Sequence, residues 1–534
     1  MRAVSKVRAR SSARHRLVPE RSSVAAFALG AATVAGFAPL YIFPLPVLTL
    51  ALLVWLWSAA ASPARAARLA WSFGLGFFLT GVSWVYVSLH NFGAMPAPLA
   101  AVATLLFCAF LALFPAAAGY AYARSKAPRW ANLLLLVPAM WTLGDWTRGW
   151  IFTGFPWLAM GYSQVPASPL AGYAPILGVY GLTLATVATA GVIVLLAERA
   201  SARLAQGRAN GGSVSAAVMS AMTHPALAVL IVTWAGGYAL KHIEWTSVAG
   251  EPLSVSLLQG NIAQEIKWRE EGLRATLTTY HRLAHESDAK LIVLPETALP
   301  LFLHDVPPEY LASLAARAKR NGGDVLIGVP ERLPSGEYYN SVISAGAAPP
   351  QAYRKTHLVP FGEFIPLRPV LGWIVGVLAI PLQDFSRGPS DPKPLEIAGQ
   401  RVAVNVCYED VFGEEIIRQL PAATLLVNVS NVAWFGRSIA PGQHLQISQA
   451  RALETGRYML RATNTGMTAI IDERGNIVKA APQFATAAVS GNAQGRSGAT
   501  PYVRWGNYFV LALCVMLLAT ALLLHARRHT TQNR

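Results

Sequence analysis

The first 240 residues of the chain are dominated by long apolar stretches without any Asp, Glu, Lys or Arg. These uncharged stretches, with a further one near the C-terminus, are 22–64, 69–123, 149–197, 209–240 and 505–526. A helix of about 20 apolar residues crosses a hydrocarbon core of about 30 Å, so each of the first two stretches holds two crossings. The pattern predicts about eight membrane spans, near 22–40, 43–60, 69–88, 99–121, 131–147, 173–197, 224–240 and 507–525.

From residue 254 onward the pattern changes to short apolar runs that alternate with amphipathic segments. The runs typical of strands are 254–259, 291–295, 324–330, 339–345, 401–406, 424–429 and 467–472. Helical periodicity occurs near 268–287, 307–320, 411–419 and 443–457. Runs such as LIVLP and TLLVNV are apolar at nearly every position, which is typical of central strands covered on both faces. The pattern predicts a layered α/β or α+β domain with a hairpin turn at ERGN, residues 473–476.

The composition changes this picture only by excluding other classes of protein. Hydrophobic residues make up 54% of the 534 residues and charged residues 13%, about half of the roughly 25% in soluble globular domains. This balance excludes a soluble protein, and a total of three cysteines excludes a disulfide-stapled secreted scaffold. The net charge of +17 is concentrated among the apolar segments, because residues 1–240 hold 16 Lys or Arg and three acidic residues. This placement indicates basic loops beside a membrane rather than a nucleic-acid-binding surface.

The basic residues also predict an orientation. They occur before the first span, in every second loop between spans, and after the eighth span. By the positive-inside rule, both chain ends then lie in the cytoplasm and the polar domain lies outside. The predicted division is a basic cytoplasmic tail at 1–21, a membrane domain at 22–240, an extracytoplasmic domain at 241–506, the eighth helix at 507–525 and a cytoplasmic tail at 526–534.

Three chemically reactive side chains follow predicted strands of the polar domain. Glu296 and Cys407 come just after strands, and Lys355 follows one at a longer distance. Strand ends of α/β sheets hold reactive side chains, because the backbone is fixed while the tip stays open. A cysteine attacks as its thiolate, so we expect Lys355 to lower the pKa of Cys407. Glu296 then moves the proton, and Lys355 stabilises the oxyanion of an acyl-transfer intermediate.

Each of these residues also has an ordinary structural interpretation. Cys407 fits an inert buried thiol, Glu296 a helix N-terminal acid and Lys355 a solvated surface charge. Spacing alone does not show that the three side chains meet. The other two cysteines, Cys108 and Cys514, lie within predicted apolar spans, and we expect both to be inert.

Several motifs resemble those of known families. PET at 295–297, YRKTHLVPFGE at 353–363 and CYED at 407–410 resemble the three blocks of the nitrilase superfamily. Longer motifs resemble the apolipoprotein N-acyltransferase family, a membrane-embedded branch of that superfamily. They are RGWIFTGFPWLAMGYSQ (148–164), LLQGNIAQEIKW (257–268), HLVPFGEFIP (357–366) and AWFGRSIAPGQHLQISQARALETGRYMLRATNTG (433–466). The resemblance implies a multi-span α-helical membrane bundle that carries an extracytoplasmic, nitrilase-like αββα sandwich.

The resemblance also implies roles for individual residues. Glu296 is the general base, Lys355 stabilises the intermediate and Cys407 is the nucleophile. The family's supporting positions and its aromatic substrate-binding positions fall on Glu363, Tyr408, Glu409, Trp268 and Trp434. No metal and no other cofactor is implied.

The implied reaction moves a fatty acyl chain from a membrane phospholipid, phosphatidylethanolamine in well-known members, to Cys407 as a thioester. The α-amino group of the diacylglyceryl-cysteine of an apolipoprotein then takes the acyl chain. The implied location is the bacterial inner membrane, with the catalytic domain on the periplasmic side. A membrane-anchored amidohydrolase that acts on a small amide is the alternative. A transporter with an inert nitrilase-like domain is a third interpretation, against which the three reactive residues argue.

Three further features bear on recognition and stability. The apolar run LGWIVGVLAIPL at 371–382 fits either a loop that admits acyl chains or a buried core segment. Asp145 and Arg148, at the end of the fifth span, favour a structural ion pair over a functional site. Val432 and Arg437 stand where better-known members of the family carry acidic residues, so we expect details of recognition to differ and the reaction to be the same.

Overall fold

The computed structural model describes residues 19–210, 223–366 and 384–532. Its N-terminal part is helical, two β-sheets flanked by helices follow, and the last long helix returns to pack on the N-terminal bundle. The longer helices, numbered along the chain, are α1 Pro19–Thr33, α2 Pro44–Ser58, α3 Pro63–Val82, α4 Ala97–Leu111, α5 Leu113–Arg124, α6 Val137–Arg148, α7 Ala174–Asn210, α8 Pro225–Leu240, α9 Glu270–His285, α10 Pro308–Arg320, α11 Ala440–Thr455 and α12 Tyr508–Gln532. Shorter α-helices lie at Trp84–Val87, Arg129–Ala131, Gly413–Ile416 and Pro501–Trp505.

The predicted spans lie largely on helices, whereas eight full-length crossings are not confirmed. In the described ranges, three helical stretches are long and apolar enough to cross a membrane: Ala97–Arg124, Pro169–Gln206 and Tyr508–Arg528. Pro63–Val82 and Trp84–Phe92, bent by 46° to each other, make a fourth if they count as one span. Three other apolar helices are shorter, and they are Ser22–Gly36, Pro44–Ser58 and Pro225–Leu240. At 1.5 Å per residue, such a helix covers about 22 Å of a core about 30 Å thick.

Helices α1 and α3 approach one another closely at two glycines. A Cβ on Gly76 would lie 2.1 Å from Phe27 O, and a Cβ on Gly30 would lie 1.9 Å from Phe73 O. Between membrane helices, apolar burial gives little driving force, so close backbone packing is a main source of stability. Any side chain at either glycine would therefore push the two helices apart.

The polar domain is built from two large sheets. Its strands are β1 Ser247–Val248, β2 Leu253–Gln259, β3 Leu291–Val293, β4 Asp324–Arg332, β5 Tyr338–Gly346, β6 Ala352–Arg354, β7 Leu395–Ile397, β8 Gln400–Val406, β9 Leu425–Ser430, β10 Met459–Thr463, β11 Ala469–Ile471, β12 Ile477–Ala480, β13 Ala487–Ala493 and β14 Arg496–Ser497. In the described residues they form sheets ordered β13-β2-β3-β4-β5-β6 and β12-β11-β10-β9-β8-β7, and the pair β1-β14. The central neighbours β2-β3-β4 and β8-β9-β10 are parallel, and the flanking pairs are antiparallel.

The two large sheets pack face to face between layers of helices. Aliphatic side chains from both sheets, among them Val255, Leu326, Val404 and Val427, form one fully buried core between them. Helices α9 and α10 cover the outer face of the first sheet, and α11 covers that of the second. Because both faces of the central strands are covered, these strands are apolar at nearly every position. The layers are those of the expected αββα sandwich.

Helix α11 joins the sandwich to the membrane helices. It is buried along its whole length, although half of its residues are polar. Gln443 Nε2 donates a hydrogen bond to Gly81 O at 3.0 Å, and Gln446 Nε2 donates one to Val165 O at 2.8 Å. The carboxylate of Glu454 accepts a hydrogen bond at 2.7 Å from a backbone N–H of α7. The polar side chains of α11 thus satisfy free backbone groups of the bundle and hold the sandwich on it.

Local predictions in the polar domain have different outcomes. The hairpin turn at 473–476 is confirmed, because it joins the antiparallel strands β11 and β12. The helix predicted at 411–419 contains only the α-helical turn Gly413–Ile416, since Phe412 before it has non-helical backbone angles of −102° and 84°. The apolar run at 371–382 lies outside the described residues.

Candidate active site

Cys407 lies directly after strand β8, at the start of a 3₁₀ turn. Its φ is +54°, a left-handed conformation that residues other than glycine rarely adopt. Asn428 Nδ2 on β9 donates a hydrogen bond to Cys407 O at 3.1 Å, and His444 Nε2 on α11 lies 3.3 Å from the same oxygen. Backbone strain of this kind persists where the surroundings enforce it, and it is frequent at functional sites. The turn places Cys407 in the wall of a large cavity.

Glu296 follows β3 and lines the same cavity as Cys407. Its carboxylate accepts hydrogen bonds from Asn340 Nδ2 at 2.8 Å and from Asn431 N at 2.7 Å. Lys355 Nζ, from the loop after β6, lies 3.6 Å from Glu296 Oε1. The fold therefore brings together the three reactive residues that the sequence predicts, from the segments that follow β3 and β6 of one sheet and β8 of the other.

Glu363 is the nearest charged partner of Lys355. Lys355 Nζ lies 2.8 Å from Glu363 Oε2 and 2.9 Å from Glu363 Oε1. The same carboxylate accepts hydrogen bonds from Asn340 Nδ2 at 2.9 Å and from Val359 N at 2.8 Å. Because the ammonium is buried between two carboxylates, its position is fixed by strong charge-assisted hydrogen bonds.

The charges of this cluster determine the resting state of the thiol. Burial would lower the pKa of Lys355, but Glu363 and Glu296 raise it well above its usual value, so the ammonium stays protonated. Burial raises the pKa of Cys407 well above its usual value, Glu296 adds to the rise, and Lys355 offsets only a part of it. Lys355 thus lowers the pKa of Cys407 as predicted, but burial and Glu296 outweigh it, so the net pKa is raised. Because burial keeps the pKa high, the thiol is protonated at rest and needs a base when it attacks.

Glu409 ties the turn that carries the thiol to the loop that carries the lysine. Its Oε1 accepts hydrogen bonds from Thr356 N at 2.6 Å and from His357 N at 3.0 Å. Its Oε2 accepts hydrogen bonds from Tyr353 OH at 2.8 Å and from Val406 N at 2.7 Å. Burial raises the pKa of this carboxyl, and its backbone donors offset part of that effect. Glu409 thus positions backbone beside both reactive side chains.

A cavity of about 1050 Å³ joins the reactive cluster to the membrane helices. Glu296, Lys355 and Cys407 line its polar end, and Phe107 and Phe110 of α4 line its apolar end. Sites for small ligands usually enclose about 300–1,000 Å³. The volume and the apolar lining therefore suit a long, largely hydrocarbon ligand.

The three aromatic residues that the sequence singles out all line this cavity. Tyr408 OH donates a hydrogen bond to Gly154 O at 2.9 Å, and Trp434 O accepts one from Ser88 Oγ at 2.8 Å. Trp268 lies at the cavity wall with 37% of its surface exposed. Tyr408 and Trp434 thus also join the sandwich to the helical part of the chain.

Comparison with known proteins agrees with this architecture. The chain matches a model of the apolipoprotein N-acyltransferase N-terminal domain at residues 29–192 and a model of the carbon-nitrogen hydrolase family at residues 254–502. It is 55% identical to the apolipoprotein N-acyltransferase of Nitrosomonas europaea, over 95% of this chain and 98% of that protein. The chain belongs to the apolipoprotein N-acyltransferase family. Members from Chromobacterium violaceum and Methylococcus capsulatus are 46% and 44% identical, over 95% and 90% of this chain and 94% and 91% of theirs.

Two positions differ from the acidic residues expected in the apolipoprotein N-acyltransferase family. Val432 is 1% exposed and lies two residues after the end of β9. Arg437 is exposed, and its guanidinium carbon lies 4.5 Å from the centroid of the Phe484 ring. The guanidinium of Arg437 therefore makes a cation–π contact with the ring of Phe484.

The ion pair predicted for Asp145 and Arg148 is present. Arg148 Nη2 lies 2.7 Å from Asp145 Oδ1, and both side chains are buried. Arg148 Nη1 also donates hydrogen bonds to Phe155 O at 3.1 Å and Trp157 O at 3.0 Å. The pair thus holds the segment after α6 in place, as a structural ion pair does. Cys108 and Cys514 are fully buried within helices, as predicted.

Sequence reasoning missed several polar residues of the cavity wall. Asn340 is the most consequential, because its single amide nitrogen bridges the carboxylates of Glu296 and Glu363. Asn431 and Lys267 also line the cavity. An asparagine inside the predicted strand 339–345 was the available signal for Asn340. No comparable signal marks Lys267, which stands in a polar loop.

A cluster of buried charges supports the turn of Cys407 from behind. Arg461 Nη1 lies 3.1 Å from Asp410 Oδ2, and His444 Nε2 lies 2.6 Å from Asp410 Oδ1. Ser448 Oγ donates a further hydrogen bond to Asp410 Oδ2 at 2.6 Å. All four side chains are at most 1% exposed. The carboxylate is therefore the centre of a network that joins the turn to β10 and α11.

Proposed function

We propose that this protein transfers a fatty acyl chain from a membrane phospholipid to the N-terminal amino group of a diacylglyceryl-cysteine on an apolipoprotein, through a thioester on Cys407. The observation that carries the proposal is the single cavity that connects the Glu296–Lys355–Cys407 cluster with apolar side chains of the membrane helices. A small polar amide would not need such an apolar extension. Membership of the family supports the same activity.

In the first half-reaction, Glu296 accepts the proton of the Cys407 thiol while Sγ attacks the carbonyl carbon of the donor ester. Lys355 Nζ stabilises the oxyanion of the tetrahedral intermediate. The bond to the glycerol oxygen then breaks, and Glu296 returns the proton to that oxygen, so that a lysophospholipid leaves. The raised pKa of the thiol supports this coupling of attack and proton transfer, because little thiolate exists beforehand.

In the second half-reaction, the amino group of the acceptor attacks the thioester carbonyl. Glu296 accepts a proton from the attacking amine, and Lys355 again stabilises the oxyanion. The carbon–sulfur bond breaks, the proton returns to the sulfur, and the products are the N-acylated lipoprotein and the free thiol. Glu363 and Asn340 hold Lys355 and Glu296 in place during both steps.

The preferred donor in this proposal is phosphatidylethanolamine, whose acyl chain occupies the apolar end of the cavity. Trp268, Trp434 and Tyr408 form the polar–apolar border where a head group and an acceptor enter. Each aromatic ring combines a large apolar surface with one polar atom, which suits the interface between lipid and water.

The proposed setting is the bacterial inner membrane, with eight spans in residues 22–240 and 507–525. The catalytic domain, residues 241–506, is on the periplasmic side, and the tails 1–21 and 526–534 are in the cytoplasm. Helices that are short for a full crossing take part in this bundle by lying against longer neighbours. The alternating basic loops support this orientation.

This orientation predicts how intact cells react with a membrane-impermeant maleimide. Ala347→Cys, on an exposed loop after β5, is expected to be labelled once the outer membrane is permeabilised. Ser201→Cys, exposed on α7 between Arg199 and Arg203, is expected to react only after lysis. Both variants are made in a Cys407→Ala background, and labelling in the reverse order would contradict the orientation.

The proposed reaction predicts an acyl thioester on the wild-type chain alone. Purified protein is incubated with phospholipid in detergent micelles, quenched in acid and measured by mass spectrometry beside Cys407→Ala. We expect an added acyl mass that hydroxylamine removes, and none on the variant. Cys108→Ala, which changes a buried thiol on a membrane helix, is the matched control and should retain the adduct. Hydrolysis of small amides without any acylated species would favour an amidohydrolase instead.

A further inference from the structure

Lys267 is a buried lysine in the wall of the active-site cavity that the proposed mechanism does not use. It lies in the loop between β2 and α9 and is 2% exposed. Its neighbours in the loop, Gln264 and Trp268, line the same cavity, as does Glu296. The lysine therefore shares the reaction space with the catalytic cluster.

Unlike Lys355, Lys267 has no partner for its charge. Across residues 19–210, 223–366 and 384–532, no hydrogen bond or ion pair joins its ammonium to another side chain or to the backbone. Glu296, whose charge acts on Lys267, already receives hydrogen bonds from Asn340 and Asn431 and lies beside Lys355. The ammonium thus faces the cavity without a counter-ion in contact.

A buried and unpaired ammonium is costly unless a ligand pairs with it. Burial lowers the pKa of Lys267 to about 8, and the charge of Glu296 offsets part of that effect. At pH 7 most of the lysine is therefore still protonated. The cavity wall therefore presents a buried cation that can pair with an anionic ligand at this point.

We infer that Lys267 binds the phosphodiester of the acyl donor and thereby orients its ester toward Cys407. This inference rests on the proposed function. Of the two proposed substrates, only the phospholipid necessarily carries an anionic group a few bonds from the ester that reacts. The diacylglyceryl-cysteine of the acceptor has a cationic amine and no phosphate. Lys267 therefore acts in thioester formation and not in the transfer to the amine.

The test compares two acyl donors that share an oleoyl chain, dioleoylphosphatidylethanolamine and p-nitrophenyl oleate, which has no phosphate. The rate of thioester formation is measured for the wild type, Lys267→Gln and Lys267→Arg. We expect Lys267→Gln to be about 10–100-fold slower with the phospholipid, the worth of one charge-assisted hydrogen bond, and near the wild type with the activated ester. Lys267→Arg keeps the charge and should recover most of the loss.

A second measurement separates binding from chemistry. In the Cys407→Ala background, Lys267→Gln should weaken the affinity for a fluorescent phosphatidylethanolamine about tenfold or more. Inorganic phosphate should not compete at millimolar concentration, because the acyl chains supply most of the affinity. Competition by free phosphate would assign the site to an ion instead of a lipid.

Other outcomes overturn the inference in distinct ways. An equal loss with both donors would mean that Lys267 acts on Glu296, and an unchanged affinity and rate would mean that it binds nothing. A loss confined to transfer from thioester to peptide would place the bound anion on the acceptor. If the wild type forms no thioester from phospholipid while Lys267→Gln still weakens lipid affinity, the proposed function fails and the binding site stands.

Discussion

Glu296→Gln is expected to slow thioester formation by about 10²–10⁴-fold, the usual contribution of a positioned general base. The amide keeps an oxygen for the N–H of Asn431 but cannot accept the proton of Cys407. Because burial holds the pKa of the thiol well above its usual value even without the charge of Glu296, little thiolate forms without the base. The rate is measured by mass spectrometry of the acylated chain after rapid acid quenching.

The pH dependence distinguishes loss of a base from loss of structure. In Glu296→Gln, the residual rate should rise by about tenfold per pH unit toward the pKa of Cys407, because only preformed thiolate reacts. A residual rate that does not change with pH would contradict the role of Glu296. The control is Glu331→Gln. Glu331 and Arg354 form an ion pair of 2.7 Å outside the cavity, so this substitution should leave the rate near that of the wild type.

Asp410→Asn is expected to destabilise the protein by about 3–5 kcal/mol, the usual cost of breaking a buried ion pair. The substitution removes the carboxylate that lies 3.1 Å from the guanidinium of Arg461 and leaves that buried charge unpaired. For a domain of this size, the loss corresponds to a fall of about 6–20 °C in the midpoint of thermal unfolding, measured in detergent. Adding Arg461→Gln should restore part of the loss, since it removes the unpaired charge.

The same carboxylate predicts a dependence of stability on pH. Burial alone would raise the pKa of Asp410, but His444, Arg461 and Ser448 lower it below its usual value. Its contribution to stability is therefore complete above the unfolded pKa of about 4 and is lost as the pH falls through the lower folded pKa. Asp410→Asn should lose this part of the acid sensitivity. Asp391→Asn, on an exposed pair with Lys393, should change neither the midpoint nor its pH dependence, and equal effects of both variants would contradict the role of Asp410.

The apolar pattern predicts the centre of the sandwich better than its edges. The runs 401–406 and 424–429 correspond closely to Gln400–Val406 and Leu425–Ser430, because strands covered on both faces are apolar throughout. The pattern does not predict strand β10, because Arg461 interrupts its apolar run. The charge of Arg461 is paired in the fold with Asp410, which lies 51 positions earlier in the chain. Strand β13 escaped because AAVSGNA is made of small and polar residues.

The reactive residues could be named from motifs, but their electrostatics could not. The pKa of Cys407 is raised first by burial of the thiol and then by the charge of Glu296, which outweigh the effect of Lys355, and Lys355 itself lies 2.8 Å from Glu363 and 3.6 Å from Glu296. Sequence spacing does not encode these distances. The same reason hides Lys267, since a lysine in a polar loop is indistinguishable from a surface lysine until the fold buries it.

The hydrogen bonds between α11 and the bundle imply an order of folding events during synthesis. Its glutamines bind carbonyls of Gly81 and Val165, which precede them in the chain by 362 and 281 residues. The ribosome therefore synthesises the carbonyl acceptors long before the glutamine donors. The bundle can insert into the membrane before α11 exists, and α11 then docks on it. The second sheet gains its outer layer only when that helix docks. A polar domain made without the bundle would leave Gln443, Gln446 and Glu454 of α11 without their partners in Gly81, Val165 and Val179, so membrane insertion contributes to the folding of the catalytic half.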